Sequence, residues 1–156
     1  MKYFALGKTI GRGAFGIVKL AFDKISKHKV AIKIMKTSRF KTEKEINRVK
    51  IEVKISKQVN HPNIVKTYEF FEESGKIYIV MEYCSKGDLF DYLKVHKKLS
   101  EEEAKRIYKQ LIDALQYLSM CEIVHRDIKP ENVLFDKHMN LKLADFGLAQ
   151  ICPKLK

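Results

Sequence analysis

Gly11-Arg12-Gly13-Ala14-Phe15-Gly16-Ile17-Val18-Lys19-Leu20-Ala21-Phe22 is the stretch on which the fold turns. Glycines at this spacing let backbone N–H groups approach an anion, because no Cβ intrudes. Dinucleotide-binding proteins share the pattern. Their fold, however, requires a helix directly after the glycines, whereas Val18 to Phe22 reads as a strand. With Phe4 to Ile10 as the strand before them, the glycines belong to a β-hairpin. An ordinary glycine-rich turn remains the alternative that this stretch alone leaves open.

Outward from the hairpin, Lys29 to Met35 reads as a third strand with Lys33 between Ile32 and Ile34. Such a lysine either faces solvent or points inward, where it needs an anion. Thr42 to Val59 has helical spacing in Ile46, Val49 and Val53. Glu52 lies on the flank of that stripe, placed to meet an inward lysine or to be solvated with Glu43 and Glu45. Ile64 to Phe71 and Lys76 to Tyr83 read as two further strands, turning at Glu72 to Gly75. The first half thus holds five strands and one helix.

The pattern then becomes helical. Asp88 can cap a short helix from Leu89 to Lys94. Ser100 to Glu103 forms a capping box that starts a long helix with the apolar stripe Ile107, Leu111, Ala114, Leu115 and Leu118. A dense loop follows, His125-Arg126-Asp127-Ile128-Lys129-Pro130-Glu131-Asn132, ahead of a hairpin formed by Val133 to Phe135 and Leu141 to Leu143. Loops held between rigid elements are where catalytic groups concentrate. Regular pattern is expected to end with Ala144-Asp145-Phe146-Gly147-Leu148-Ala149.

Composition narrows the class. The 156 residues suit a single domain, and 46% hydrophobic with 32% charged residues excludes a disordered chain. A net charge of +12 favours anionic partners, but no block of like charges suggests a nucleic-acid arm, so none is expected. Cys84, Cys121 and Cys152 have no metal-ligand spacing and read as reduced thiols of a cytoplasmic protein, a nuclear setting being left open. No apolar run approaches the ~20 residues of a membrane span. The N-terminus runs straight into the glycine motif, so no cleaved signal is expected.

In order, the sequence holds Gly11-x-Gly13-x-x-Gly16-x-Val18, Val30-Ala31-Ile32-Lys33, His125-Arg126-Asp127 through Asn132, and Asp145-Phe146-Gly147. This succession resembles the eukaryotic protein kinases over essentially the whole chain. Lys129 two residues after Asp127 resembles the serine/threonine branch, and the chain looks most like the calmodulin-dependent and AMP-activated group. The resemblance implies an α+β kinase-like fold. Residues 1–83 would be a complete small lobe, with a five-stranded antiparallel sheet and one helix. Residues 84–156 would be a partial helical large lobe.

It also implies roles. ATP and Mg²⁺ are the cofactors, and a protein bearing Ser or Thr is the substrate. Asp127 would accept the hydroxyl proton and Lys129 would offset charge on the moving phosphoryl group. Asn132 and Asp145 would hold Mg²⁺. Lys33 would contact the phosphates and pair with Glu52, beneath Gly11, Gly13 and Gly16. Ile10, Val18, Ala31 and Leu134 would enclose adenine, with backbone groups of Glu82 and Cys84 at its edge and Met81 behind. Asp88 resembles a ribose contact as much as a helix cap.

Two departures from the family pattern carry expectations. Ser56 and Thr67 stand where large apolar residues are usual, so the packed column containing Phe146 and His125 should be weaker. The chain also stops at Lys156, soon after Phe146. A fragment of a kinase is expected on that ground, the alternative being a truncated, inactive protein that binds a nucleotide or a partner. Two further expectations follow: Arg126 should lack a partner, and the stripe from Ile107 to Leu118 should be exposed, for a partner to cover the face of the helix at 101–119.

Overall fold

The computed structural model describes residues 2–13 and 16–153, so Ala14 and Phe15 of the glycine motif lie outside the described residues. Five strands form one antiparallel sheet: β1 (Phe4–Arg12), β2 (Gly16–Asp23), β3 (Lys29–Lys36), β4 (Thr67–Glu73) and β5 (Lys76–Glu82), in the order β1-β2-β3-β5-β4. The glycine stretch joins β1 to β2 as a hairpin. β4 starts at Thr67 rather than Ile64. The preceding residues are bonded elsewhere, with Val65 N–H donating to Leu143 O (2.9 Å) and Leu143 N–H to Asn63 O (2.8 Å). The β4–β5 turn is also tighter than its sequence suggests, because Ser74 and Gly75 both take positive φ (51° and 66°). Two such residues match the twist of a two-residue hairpin, and the strands extend to Glu73 and Lys76.

Strand alternation divides the sheet into two apolar faces. Ala21, Val30, Ile32, Tyr78 and Val80 are buried on one, and the sheet coils until Phe4 on one edge strand stacks on Phe71 of the other, ring centroids 6.4 Å apart. Met35 and Ile79 on the other face pack against Val49 of α1 (Glu43–Gln58). Lys33 shares parity with Ala31 and Met35, so it points to the α1 side, which resolves the choice its sequence leaves open. Thr42 starts α1 with a reciprocal capping box to Glu45.

Gly16 is fixed by close packing. A Cβ there would meet Ile34 O at 2.2 Å and Met35 Cγ at 2.9 Å, whereas one on Gly13 would meet no atom of the described residues beyond its chain neighbours within 4 Å. Gly16→Ala is therefore expected to push β2 off β3 and destabilise by about 1–3 kcal/mol. Gly13→Ala should stay within about 0.5 kcal/mol of the parent. Thermal unfolding of the two variants separates them; equal melting temperatures would overturn the packing argument.

The helical part comprises α2 (Leu89–His96) and α3 (Glu101–Met120), capped by Asp88 and by a Ser100–Glu103 capping box. α2 extends two residues beyond the expected Lys94. The expected exposed stripe is not exposed: Ile107, Ala114 and Leu118 are buried, and Leu111 and Leu115 pack onto the same core. The hairpin of β7 (Val133–Phe135) and β8 (Leu141–Leu143) covers it, held by the Gln110 side chain, whose Oε1 accepts from Leu141 N–H at 2.7 Å. The outward large apolar residues of α3 include Tyr108 and Ile112, on another face of the helix. Regular structure also continues past Ala149, since β6 (Ile123–Val124) pairs with β9 (Gln150–Ile151). A two-residue strand carries too little periodicity to be read from sequence.

One buried cluster draws on residues from both sides of residue 83. Ile55 and Val59 at the end of α1 and Ile64 beyond it are buried in the cluster with Leu118, Phe135 and Leu143. His125 and Phe146 rings meet in that region at 5.2 Å. Ser56 and Thr67 are half-buried, so neither opens a sealed cavity.

Candidate active site

Lys33 Nζ donates to Glu52 Oε1 at 2.5 Å and to Asp145 Oδ1 at 3.3 Å. Three segments far apart in sequence therefore converge on one ammonium. Glu52 is buried because α1 presses that face against the sheet. Burial pulls the Lys33 ammonium toward neutrality, but Glu52 and Asp145 outweigh it and hold its pKa above the usual lysine value. For Glu52 desolvation dominates and raises the carboxyl pKa, against the opposing effect of Lys33. The two charges are thus mutually dependent, and neither is stable there alone.

Below them, the loop folds around Asp127. Lys129 Nζ donates to both Asp127 carboxylate oxygens (2.8 and 3.1 Å), and Asn132 Nδ2 donates to Asp127 Oδ2 (2.9 Å) and Asp127 O (2.8 Å). The hydrogen bond from Lys129 is the main reason that the Asp127 carboxyl titrates below its ordinary range. Pro130 begins the 3-10 turn Pro130–Asn132 that swings Asn132 back toward Asp127. Arg126 and Asp145 both adopt left-handed backbone (φ 64° and 63°), a conformation that disfavours non-glycine residues by roughly 1–2 kcal/mol. Compensating contacts are present. Asp145 Oδ1 accepts from Gly147 N–H at 3.2 Å.

Arg126 is not without a partner: it donates through Nε to Leu148 O and through Nη1 to Gln150 Oε1, each at 2.7 Å. The same contacts position β9 beside β6.

His125 holds the loop to the strand before Asp145. Its Nδ1 accepts from Asp127 N–H (3.3 Å), which makes Nε2 the donor to Ala144 O (3.0 Å) and defines a neutral ring. Desolvation lowers its pKa. A base with a depressed folded pKa contributes stability above its unfolded value, about 6.5, that is lost as pH falls through the folded value. His61 has the same sign. Urea unfolding should therefore show lower stability at pH 5.5 than at 7.5, with a smaller difference in His125→Gln; an equal difference would remove His125 from that account.

The candidate adenine residues differ in their burial. Ala31 is buried, Val18, Met81 and Leu134 are half-buried, and Ile10 is exposed at the rim. Leu134 is brought beneath the β5 exit because residues 86–88 pair with β7: Phe135 N–H donates to Gly87 O, Lys86 N–H to Phe135 O, and Asp88 bridges Leu134. Cys84 is buried there, and desolvation, reinforced by Glu82, pushes its thiol up to about 12, so it is a packing residue rather than a nucleophile. Asp88 Oδ1 accepts from Asp91 N–H at 2.8 Å, an observed capping role for the residue also considered as a ribose contact.

Asn132 and Asp145 fit a magnesium ion by donor chemistry. The amide nitrogen of Asn132 is consumed by Asp127, which leaves its Oδ1 as an acceptor, and among the described residues Asp145 engages Lys33 and Gly147 through Oδ1. Each thus offers a hard oxygen, the ligand type magnesium takes alongside phosphates.

Sequence reasoning missed Lys142. Its Nζ lies 2.8 Å from Glu82 Oε1 and 3.0 Å from Oε2. The signal was present, since Lys142 sits between Leu141 and Leu143 as Lys33 sits between Ile32 and Ile34.

A coiled five-stranded sheet with its helix, set over a loop that carries an acid, a lysine and an amide, defines the class as protein kinases. The chain belongs to the protein kinase domain family, whose sequence profile matches residues 4–156. Its relatives include a serine/threonine protein kinase, OSK3, of Oryza sativa subsp. indica (44% identical over 151 residues), covering 97% of this chain and 30% of the relative. The SNF1-related protein kinase catalytic subunit alpha KIN12 of Arabidopsis thaliana is 45% identical over 148 residues, 95% of this chain and 30% of its own. NUAK family SNF1-like kinase 1 of Homo sapiens is 40% identical over 153 residues, 98% and 23% respectively. These relatives agree with the serine/threonine, AMP-activated-like grouping. The chain spans about 30% of the length of the first of these curated relatives.

Proposed function

We propose that this protein transfers the γ-phosphoryl group of Mg²⁺-bound ATP to a Ser or Thr hydroxyl of a protein, residues 1–83 acting as the nucleotide lobe and 84–156 as part of the lobe that carries the loop. The observation that best supports this reading is the Lys33 ammonium, which meets both Glu52 and Asp145 within 3.3 Å. In that step the hydroxyl oxygen bonds to the γ-phosphorus, the bond to the β-phosphate oxygen breaks, ADP leaves, and the hydroxyl proton passes to Asp127. Asp127 suits the task because its carboxylate is held ionised at neutral pH. Lys129 beside it offsets charge on the phosphoryl oxygens, and Lys33 orients the α- and β-phosphates, with Glu52 fixing its position. Asn132 and Asp145 would hold Mg²⁺, which supplies charge neutralisation to the phosphates when bound.

Gly11, Gly13 and Gly16 let backbone N–H groups of the β1–β2 hairpin approach the phosphates, and Ile10, Val18, Ala31 and Leu134 exclude water from the base. Among the described residues no helix is long and apolar enough to cross a membrane. Three free cysteines support a reducing, cytoplasmic setting. The test incubates the intact chain with γ-labelled ATP, Mg²⁺ and a Ser/Thr-containing basic protein. Label on Ser or Thr is expected. Binding of Mg²⁺·ATP without transfer would overturn the catalytic reading and leave a nucleotide-binding protein.

A further inference from the structure

We propose that the Lys142–Glu82 ion pair sets the gap of the adenine slot, which makes Lys142 a positioning residue for base recognition although it is not among the residues that enclose the base. The inference rests on the nucleotide reading above. Its basis is the register of two separate hairpins. Lys142 lies directly opposite Leu134 in the β7–β8 pair, and Glu82 lies opposite Val30, next to Ala31, in the β3–β5 pair. Leu134 is the floor of the slot and Ala31 part of its ceiling. Side chains of directly opposed residues project from one face of a strand pair, so Lys142 and Leu134 project together toward β5. The ion pair therefore ties β8, the strand paired with the floor strand β7, to β5, the strand paired with the ceiling strand β3.

The tie has defined geometry. The Lys142 ammonium reaches both Glu82 oxygens, at 2.8 and 3.0 Å, and the two side chains are only 13% and 20% exposed. Both ends are anchored. Glu82 N–H donates to Lys66 O at 2.8 Å, and Glu82 Oε2 accepts from Lys66 N–H at 3.3 Å. On the other strand, Asn63 Nδ2 donates to Leu141 O at 3.0 Å, while Leu143 exchanges backbone bonds with Asn63 and Val65. An apolar pair at these positions would allow sliding, whereas two directed bonds to a half-buried carboxylate fix a distance. That distance matters because a flat ring held between apolar walls loses about a quarter to a half of its dispersion attraction to one wall when the gap grows by ~0.5–1 Å.

The test uses calorimetry on the intact chain with two probes, adenosine and Mg²⁺·tripolyphosphate. Lys142→Met and Glu82→Gln are each expected to weaken adenosine binding by roughly three- to tenfold, the scale of the lost wall contacts. The double variant should be no weaker than the weaker single, and Lys142→Arg should recover most of the affinity. Tripolyphosphate affinity should be the same in all of them, which a general loosening of the fold would not produce. Unchanged adenosine binding in the single variants, or parallel loss of both probes, would overturn the proposal. Intact protein that binds neither probe would overturn the nucleotide reading, and this inference with it.

Discussion

Asp127→Asn is expected to reduce phosphoryl transfer by about 10²–10⁴-fold, the usual contribution of a positioned proton acceptor, with little change in fold. The asparagine keeps one oxygen that, in place of Oδ2, can accept from Lys129 and Asn132, so the loop hydrogen bonds at 2.8 and 2.9 Å have a route to survive while the 3.1 Å bond to Oδ1 is lost. What it lacks is a carboxylate to take the hydroxyl proton. The lost pairing with Lys129 is a partly exposed one, side chains 44% and 22% accessible, which limits its effect on stability to about 1 kcal/mol or less. Transfer kinetics beside a thermal melt make the distinction. Parent-like rates in Asp127→Asn would remove Asp127 as the proton acceptor, and a collapsed melting temperature would make it a structural residue instead.

Lys33→Met should produce the largest stability effect among the site residues, about 3 kcal/mol, the lower end for removing one partner of a buried ion pair. The reason is Glu52, which is 4% exposed and would keep its charge without its cation. At this chain length such a loss corresponds to a fall in melting temperature of roughly 6–12 °C. Protonation offers Glu52 an escape, and it fixes the sign of the pH dependence. A carboxyl whose folded pKa is raised contributes stability below its unfolded value, lost as pH rises through the folded one. Desolvation already raises Glu52, and the variant removes the opposing effect of Lys33. The gap between variant and parent should therefore narrow as pH is lowered from 8 toward 5. Lys33→Met with Glu52→Gln should recover part of the loss, since no buried charge remains. A thermal shift by Mg²⁺·ATP, expected in the parent, should be absent in Lys33→Met. A gap that does not change with pH, or a variant as stable as the parent, would contradict the assignment of a buried, mutually dependent pair.

Much of this molecule is legible in its sequence, and the features that are not share one cause. The hairpin character of Gly11 to Phe22, the capping of the long helix by Ser100 and Glu103, and the β7–β8 hairpin all follow from signals within a few residues. The errors lie where distant segments meet. The Ile107–Leu118 stripe reads as uncovered because its cover, the hairpin from Val133 to Leu143, has no local mark of where it docks. Arg126 reads as unpaired for the same reason, since Leu148 and Gln150 approach it only through the β6–β9 pairing. Lys142 shows the limit most directly: its flanking leucines leave its direction open, as with Lys33, and they do not identify Glu82, sixty residues away, as its partner.

By itself, the sequence determined the family, the order of strands and helices, and the residue types that phosphoryl transfer requires, because periodicity, caps and turn chemistry act over short distances along the chain. The tertiary structure alone decided which of those residues are charged, buried or paired. Lys33 faces Glu52 and Asp145 because strand parity turns it toward α1, and Asn132 meets Asp127 because a proline-led turn brings it back. Those outcomes depend on desolvation and on charges brought together from far apart in the sequence, quantities that no local pattern encodes.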